Sequence, residues 1–243
     1  MIKLFKCISL LIVTLYLIYG SNAFAGKILK YDIKKQESLH DNSVLFFMHG
    51  WGGSKKGYKE IISEFGDDFT IVILQAPYRM GWFSGKFSWY DWQIVDGDTT
   101  SNQEQINFSS QSVLQTIDHI VRKENLDIKN VFIGGQSQGA IMACKLASEH
   151  PRSMRGFIAH NGRLPVVFDP VNSDDFSKLH GLVMNGKYDK VLPPKYAESI
   201  VNKFKNLGVN IDSISPEIGH GMSKESQRMI QEWINSILSE PYK

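Results

Sequence analysis

The residues with the best-defined chemistry in this sequence are Gly135-Gln136-Ser137-Gln138-Gly139, a G-x-S-x-G pattern. This pentapeptide follows the apolar segment 131–133 and precedes an apolar helical pattern over 140–149. On such a strand–turn–helix junction the serine hydroxyl is exposed at the edge of a sheet, and the adjacent helix N-terminus favours negative charge. A flexible Gly/Ser turn is the alternative, but it does not account for this setting. The context therefore predicts that Ser137 is a nucleophile.

A serine hydroxyl needs a base to become nucleophilic, and the base needs an acid that orients it. His220 lies between two glycines, after the segment 209–214 and before the last helical pattern. Asp189 directly follows the apolar segment 182–184. The chain order Ser137, Asp189, His220 is the order in which α/β-hydrolases carry their catalytic residues. His160 also follows an apolar segment but does not fit this order.

A glycine-rich turn, His49-Gly50-Trp51-Gly52-Gly53, follows the apolar run 44–48. Backbone N–H groups in such a turn can stabilise the oxyanion of a tetrahedral intermediate. We expect one donor to be the N–H of Gln138, which follows the nucleophile, and the other to be the N–H of Trp51. His49 is expected to brace the turn.

Seven aromatic side chains lie within residues 78–92, in a segment that Gly81 and Gly85 keep from being a regular helix. Aromatic loops of this kind can shape an apolar binding site. We expect Trp82 and Trp89 to line the substrate's acyl site. The alternative, equally compatible with the sequence, is that the aromatic side chains pack the loop onto the body of the protein.

Short apolar segments alternate with helical patterns along the rest of the chain. Continuous apolar runs predict strands that are covered on both faces, and alternation with helices predicts a parallel sheet. Segment 209–214 alternates polar and apolar residues, which favours a position near an edge. The predicted strands are 44–48, 71–74, 131–133, 157–159, 182–184 and 209–214, and the predicted helices are 103–123, 140–149, 195–207 and one that begins at Ser223.

The first 25 residues have the features of a secretory signal peptide. Lys3 and Lys6 precede an apolar run of about 12 residues, and Ala23-Phe24-Ala25 fits the small-x-small cleavage rule. A membrane anchor is the alternative, but the run is shorter than the roughly 20 residues that a spanning helix needs. We expect cleavage after Ala25, and a periplasmic or secreted mature protein.

Composition limits the remaining possibilities. The 243 residues carry 27 basic and 25 acidic side chains, and both excess charges are the lysines of the first 25 residues. This balance gives no basic surface for nucleic acid. Residues 26–243 suit a single domain without stable membrane insertion. They contain one cysteine, Cys144, which excludes an internal disulfide and fits a buried structural thiol.

Taken in order, these motifs resemble the phospholipase/carboxylesterase family of α/β-hydrolases, which includes acyl-protein thioesterases and small bacterial esterases. The resemblance extends from about residue 43 to residue 238. It rests on five segments: His49-Gly50-Trp51-Gly52-Gly53, Ala76-Pro77-Tyr78-Arg79 with Trp89-Tyr90-Asp91, Gly135-Gln136-Ser137-Gln138-Gly139-Ala140, Gly186-Lys187-Tyr188-Asp189-Lys190-Val191-Leu192-Pro193 and Gly219-His220-Gly221-Met222-Ser223.

The resemblance implies an α/β-hydrolase fold, with a mostly parallel central sheet and helices on both faces. It implies Ser137, Asp189 and His220 as the catalytic triad and the Trp51 and Gln138 N–H groups as oxyanion donors. The expected activity is hydrolysis of a small-molecule or lipid acyl ester or thioester through an acyl-enzyme, with no metal and no cofactor. An exported peptidase or polyester depolymerase on the same triad, and a non-catalytic binding protein of this fold, remain alternatives. The sequence gives no oligomeric state.

Overall fold

The computed structural model describes residues 26–35, 42–63 and 65–240, so the predicted signal peptide lies outside the described residues. A seven-stranded sheet forms the centre, and two short antiparallel ribbons accompany it. The strands are β1 (Tyr31–Lys34), β2 (Val44–Met48), β3 (Thr70–Leu74), β4 (Tyr78–Arg79), β5 (Phe87–Ser88), β6 (Trp92–Val95), β7 (Asp98–Ser101), β8 (Val131–Gln136), β9 (Gly156–His160), β10 (His180–Met184) and β11 (Asn210–Ile214).

The central sheet has the strand order β1-β3-β2-β8-β9-β10-β11. β1 pairs antiparallel with β3, and the other neighbours are parallel. The sheet is therefore mostly parallel, as expected. β11, the strand with alternating polar and apolar residues, forms one edge, which confirms that prediction.

Helices cover both faces of this sheet. Those in the described residues are α1 (Lys55–Ser63), α2 (Gln103–Glu124), α3 (Gln138–Glu149), α4 (Lys195–Asn206) and α5 (Lys224–Ser239). One apolar cluster joins α2, α3 and α4 to residues such as Phe46 and Ile133 on one face. A second cluster joins α5 to Phe47, Phe132 and their neighbours on the other face. Successive side chains of a strand point to opposite faces, so each continuous apolar strand serves both clusters.

The helix that follows Ser137 is the most deeply buried one. α3 has buried residues along nearly its whole length, including Cys144, which is 0% exposed. Burial in these apolar surroundings raises the pKa of the Cys144 thiol far above its ordinary range. The structure thus agrees with a structural role for this cysteine.

Several elements differ from the sequence prediction or were absent from it. β1 and α1 were not predicted, since both are short and polar in sequence: YDIK and KKGYKEIIS. The aromatic segment contains no helix, as expected, but it does contain the ribbon β4–β5, and a second ribbon, β6–β7, begins at its last residue, Trp92. Asp96-Gly97, with positive φ at both residues, makes the two-residue turn of the second ribbon. Among the described helices, none is long and apolar enough to cross a membrane.

Candidate active site

Ser137 lies at the sharp turn between β8 and α3, as its sequence context predicts. Its backbone has φ 55° and ψ −115°, a conformation that L-residues rarely adopt. The turn leaves no room for side chains beside it. A Cβ on Gly135 would lie 2.3 Å from the carbonyl carbon of Gly139, and one on Gly139 would lie 2.1 Å from the carbonyl oxygen of Met48. Glycine is therefore required at both positions by close packing.

Ser137, His220 and Asp189 are joined in one hydrogen-bonded series. His220 Nε2 lies 2.9 Å from Ser137 Oγ, and His220 Nδ1 lies 2.8 Å from Asp189 Oδ2. The other carboxylate oxygen of Asp189 accepts the backbone N–H groups of Val191 and Leu192, each at 2.8 Å. The Asp189 side chain is fully buried, whereas that of His220 is 24% exposed. The imidazole thus connects a buried carboxylate to a hydroxyl at the edge of the site.

Asn161, a residue that the sequence analysis did not single out, holds the loops of Asp189 and His220 together. Its Nδ2 donates to the carbonyl oxygens of Gly219 and Gly221, at 3.2 and 3.1 Å. Its Oδ1 accepts the N–H of Gly186 at 2.7 Å. Asn161 follows β9 and has φ 49°, which asparagine tolerates better than most residues. An asparagine directly after a strand was the available sequence signal.

The glycine-rich turn after β2 lies against Ser137. A Cβ on Gly50 would lie 3.3 Å from Ser137 Cβ. Three backbone N–H groups of the turn are already hydrogen-bonded: that of Gly50 donates to Tyr58 Oη, that of Gly52 to Phe87 O and that of Gly53 to Gly50 O. Within the described residues, the N–H groups of Trp51 and Gln138 make no hydrogen bond. Two backbone donors near Ser137 are therefore available to a ligand.

His49 braces this turn, as expected. Its Nε2 accepts the N–H of Ala76 at 3.2 Å, so Nδ1 carries the proton and donates to the carbonyl oxygen of Gly50 at 2.8 Å. Burial lowers the pKa of His49 to about 4, and the hydrogen bond to Gly50 acts in the opposite direction. The imidazole is thus neutral near neutral pH and serves to fix the turn.

A second polar network connects the turn to the loop of His220. Tyr58 Oη donates to Gln136 Oε1 at 2.5 Å, and Gln136 Nε2 donates to the carbonyl oxygen of His220 at 2.7 Å. Tyr58 comes from α1, which the sequence analysis missed, so this link could not be predicted.

The two tryptophans expected to line the acyl site are in different environments. Trp82 is 87% exposed, at the tip of the segment between β4 and β5. Trp89 is 0% exposed, and its Nε1 donates to the carbonyl oxygen of His49 at 2.8 Å. A substrate would reach Trp89 only by displacing the loop. The structure therefore corrects the expectation for Trp89, whose ring packs the loop onto the body of the protein, the alternative that the sequence left open.

The side chain of Gln138 connects the aromatic loop to the turn that carries Ser137. Its Oε1 accepts the N–H of Trp89 at 2.9 Å, and its Nε2 donates to the carbonyl oxygen of Tyr90 at 2.7 Å. Gln138 is itself buried. Gln138 thus positions this loop through its side chain, while its backbone N–H stays available.

His160 is buried next to the hydrogen-bonded series formed by Ser137, His220 and Asp189. Its carbonyl oxygen accepts the N–H of Ser137 at 2.9 Å. Neither ring nitrogen hydrogen-bonds to any described residue, and the side chain is completely buried. Burial lowers the pKa of His160 to about 4, and the nearby His220 lowers it further, against an opposing effect of Asp189. Across the described residues, His, Cys, Asp and Glu form no group of three or more that could hold a metal ion.

This architecture is that of the α/β-hydrolases, and solved esterases share it. A carboxylesterase from Bacillus cereus aligns with 91% of this chain and 98% of its own, at TM-score 0.73 and 16% identity. Acyl-protein thioesterase 2 of Zea mays aligns with 86% of this chain and 99% of its own, at TM-score 0.69 and 19% identity. At identities this low, the similarity to these two structures shows a shared fold and nothing more.

The family follows from the sequence. Residues 31–238 match the model of the phospholipase/carboxylesterase family, so the chain belongs to that family. A relative from Dictyostelium discoideum, acyl-protein thioesterase 1 homolog 1, is 25% identical over 215 residues, which cover 85% of this chain and 95% of the relative. The resemblance drawn from the five motifs is confirmed. As a member of this family, the chain is a carboxylic ester hydrolase.

Proposed function

We propose that the chain is an exported serine hydrolase that cleaves carboxylic esters or thioesters through an acyl-enzyme. The observation that carries the proposal is the hydrogen-bonded series from Ser137 through His220 to Asp189, with its 2.9 and 2.8 Å contacts. These distances lie within the reach needed for proton transfer between a nucleophile and its base.

The proposed reaction begins when Ser137 Oγ attacks the carbonyl carbon of the substrate. His220 Nε2 takes the hydroxyl proton, and Asp189 holds the imidazole and stabilises the imidazolium that forms. The oxyanion accepts hydrogen bonds from the N–H groups of Gln138 and Trp51, the two donors that have no other partner among the described residues. His220 then protonates the leaving alcohol or thiol. Water, activated by the same imidazole, releases the acid.

The predicted leader peptide supports the export part of this proposal, through its basic start, short apolar run and small-x-small site. The thioester part draws on the Dictyostelium discoideum relative, which is named an acyl-protein thioesterase homolog.

A fluorophosphonate tests the reaction class directly, because it phosphonylates only an activated serine. We expect residues 26–243 to be labelled stoichiometrically on Ser137, as located by peptide mass spectrometry. Ser137→Ala and the urea-unfolded protein are the controls and should remain unlabelled. Absence of labelling on the folded wild-type protein would favour a binding protein without catalysis. Labelling of another serine would show that Ser137 is not the nucleophile.

A further inference from the structure

The direction of the Trp51 N–H depends on how the peptide groups around Gly50 are held. The carbonyl oxygen of Gly50 belongs to the same peptide group as this N–H, and it accepts hydrogen bonds from His49 Nδ1 at 2.8 Å and from the N–H of Gly53 at 3.0 Å. The N–H of Gly50 itself donates to Tyr58 Oη at 3.2 Å. Because a trans peptide group is planar, with its N–H and C=O pointing in opposite directions, these hydrogen bonds fix where the Trp51 N–H points.

The hydroxyl of Tyr58 joins this turn to Gln136. It accepts the hydrogen bond from Gly50 and donates its own proton to Gln136 Oε1, which lies 2.5 Å away. The phenol ring is held by packing, since its centroid lies 6.0 Å from that of His49 and 6.2 Å from that of Phe47. Gln136 is buried, and a Cβ on Gly50 would lie 2.6 Å from its Oε1. The turn and the amide are therefore in direct contact.

The other end of the Gln136 amide holds the loop of the proposed base. Gln136 Nε2 donates to the carbonyl oxygen of His220 at 2.7 Å. The carbonyl oxygens on either side, those of Gly219 and Gly221, accept Asn161 Nδ2 at 3.2 and 3.1 Å. Three successive carbonyl oxygens of this loop are thus each bound by a side-chain amide. A continuous series of hydrogen bonds runs from the glycine-rich turn to this loop, and the members of such a series strengthen one another.

We propose that Tyr58 and Gln136 are positioning residues for the reaction described above. Together they hold the Trp51 N–H and the His220 imidazole in one fixed geometry about the hydroxyl of Ser137. Proton transfer and oxyanion binding occur in the same transition state, and a displacement of about 1 Å in such a site can cost ~10²-fold in rate. This inference rests on the proposed hydrolase function and adds two residues to it.

Tyr58→Phe tests the proposal, because it removes the shared hydroxyl and keeps the packed ring. We expect kcat for a neutral aryl ester to fall by about tenfold, roughly the worth of one hydrogen bond, with KM changed by less than about twofold. Circular dichroism should show the native fold. Tyr31→Phe is the matched control: the Tyr31 hydroxyl also accepts a hydrogen bond, from Lys123 Nζ at 3.3 Å, but on the edge strand β1. Its kcat should be that of the wild type.

A pair of ketones distinguishes positioning from a general loosening of the site. The trifluoromethyl ketone 1,1,1-trifluoro-4-phenylbutan-2-one adds to an activated serine, and the oxyanion of the adduct needs the same N–H donors as the transition state. The methyl ketone 4-phenylbutan-2-one binds without this adduct. We expect Tyr58→Phe to weaken inhibition by the trifluoromethyl ketone by the factor that kcat/KM loses, and to leave inhibition by the methyl ketone unchanged.

A double-mutant cycle tests whether the two residues act as one series. Gln136→Met keeps the length of the side chain and removes both of its hydrogen bonds, so it should also lower kcat by about tenfold. Because each variant interrupts the same series, the double variant should lose no more than about twofold beyond the weaker single variant. If Gln136→Met fails to fold, Tyr58→Phe and the two ketones still decide the question.

Three results would overturn the proposal. The first is a Tyr58→Phe variant with the kcat of the wild type, and the second is an equal loss of affinity for both ketones. The third is a double variant in which the two single effects multiply, since that would show independent actions. Each of these leaves the proposed hydrolase function intact. Failure of that function would appear separately, as no turnover of any ester by the wild-type protein and no fluorophosphonate labelling.

Discussion

At the scale of single residues, the conformation of Ser137 shows how neighbours determine what one side chain can do. A positive φ with ψ −115° costs an L-residue on the order of 1–3 kcal/mol, and surrounding contacts must maintain it. Gly135 and Gly139 allow β8 and the first turn of α3 to approach closely, and the carbonyl oxygen of His160 holds the N–H of Ser137. The hydroxyl is thereby directed toward His220.

The first prediction concerns the three residues proposed to act together. Ser137→Ala and His220→Ala should each lower kcat by at least ~10³-fold, and Asp189→Asn somewhat less, because removal of one member disables the unit. Steady-state hydrolysis of a neutral aryl ester is the measurement, with circular dichroism to show that each variant is folded. A folded Ser137→Ala that retains a tenth of the activity would contradict the assignment.

The second prediction concerns two buried imidazoles. The pKa values of His49 and His160 are both about 4 in the folded protein, below the ordinary value of 6.5. The unfolded chain therefore binds more protons between these pH values, so the free energy of unfolding should fall as pH is lowered from about 6.5 to 4. Each group contributes on the order of 3 kcal/mol over that window. Urea unfolding at a series of pH values measures the effect.

His160→Leu separates the contribution of one imidazole. The ring nitrogens of His160 have no hydrogen-bond partner among the described residues, so leucine should reduce the acid sensitivity without a loss of stability at pH 7.5. His119→Gln, at an exposed position on α2, is the control and should leave the pH dependence as it is. An unchanged acid sensitivity in His160→Leu would show that other groups govern it.

At the scale of elements, the aromatic loop illustrates where sequence reasoning succeeds and where it stops. The long strands and helices could be predicted, because continuous apolar runs and helical periodicity reflect burial on the sheet. The ribbons β4–β5 and β6–β7 are only two to four residues long in each strand, too short for a clear period. The Asp96-Gly97 turn was a usable hairpin signal. Whether Trp89 or Trp82 faces solvent depends on tertiary packing, which the residue types do not encode.

The third prediction tests that loop. Trp82 is exposed, so we still propose it as a wall for the acyl chain, and Trp82→Ala should flatten the rise of kcat/KM with acyl length. One buried methylene is worth ~0.8 kcal/mol, about a fourfold effect. The melting temperature should change little, since the side chain is 87% exposed. Hydrolysis rates for a series of acyl esters from acetate to octanoate, with thermal unfolding alongside, give both quantities.

Trp89→Ala is the matched comparison. Its ring is fully buried and donates to the carbonyl oxygen of His49, so the change should lower the free energy of unfolding by about 3–5 kcal/mol. All esters should lose activity by a similar factor, because the turn that carries Trp51 loosens. If Trp89→Ala instead flattened the dependence of kcat/KM on acyl length and left the stability unchanged, Trp89 would be assigned to the acyl site after all.

The candidate site shows a similar division between what was predictable and what was not. Ser137, Asp189 and His220 could be found because each follows a strand, and the carboxyl ends of parallel strands lie at one edge of a sheet. Asn161 and the Tyr58–Gln136 contact act between loops that are distant in sequence. The position of Asn161 directly after a strand was a weak signal, but which loops these polar side chains join is decided by tertiary contacts and appears only in the assembled structure.

At the scale of the whole molecule, the fourth prediction concerns export. Met1 to Ala25 should be removed when a bacterial host secretes the protein, because the short apolar run and Ala23-Phe24-Ala25 match a signal peptidase site. N-terminal sequencing of the exported protein should begin at Gly26. A cleavage-site variant, Ala25→Tyr, is the control and should accumulate as precursor. Intact wild-type chain in the membrane fraction would instead support an uncleaved anchor.

The reactivity of the buried Cys144 thiol on α3 can report how often the folded protein opens. Cys144 is the one cysteine of residues 26–243 and has no exposed surface, so an aromatic disulfide reagent can modify it only after the helix has separated from the sheet. The modification rate in native buffer should therefore follow the population of opened molecules, rising with urea as steeply as global unfolding does. The same reagent would then give the free energy of opening of each variant described above, in native buffer and without any further label. Modification at the rate of a free thiol in buffer alone would show that α3 opens independently of the rest.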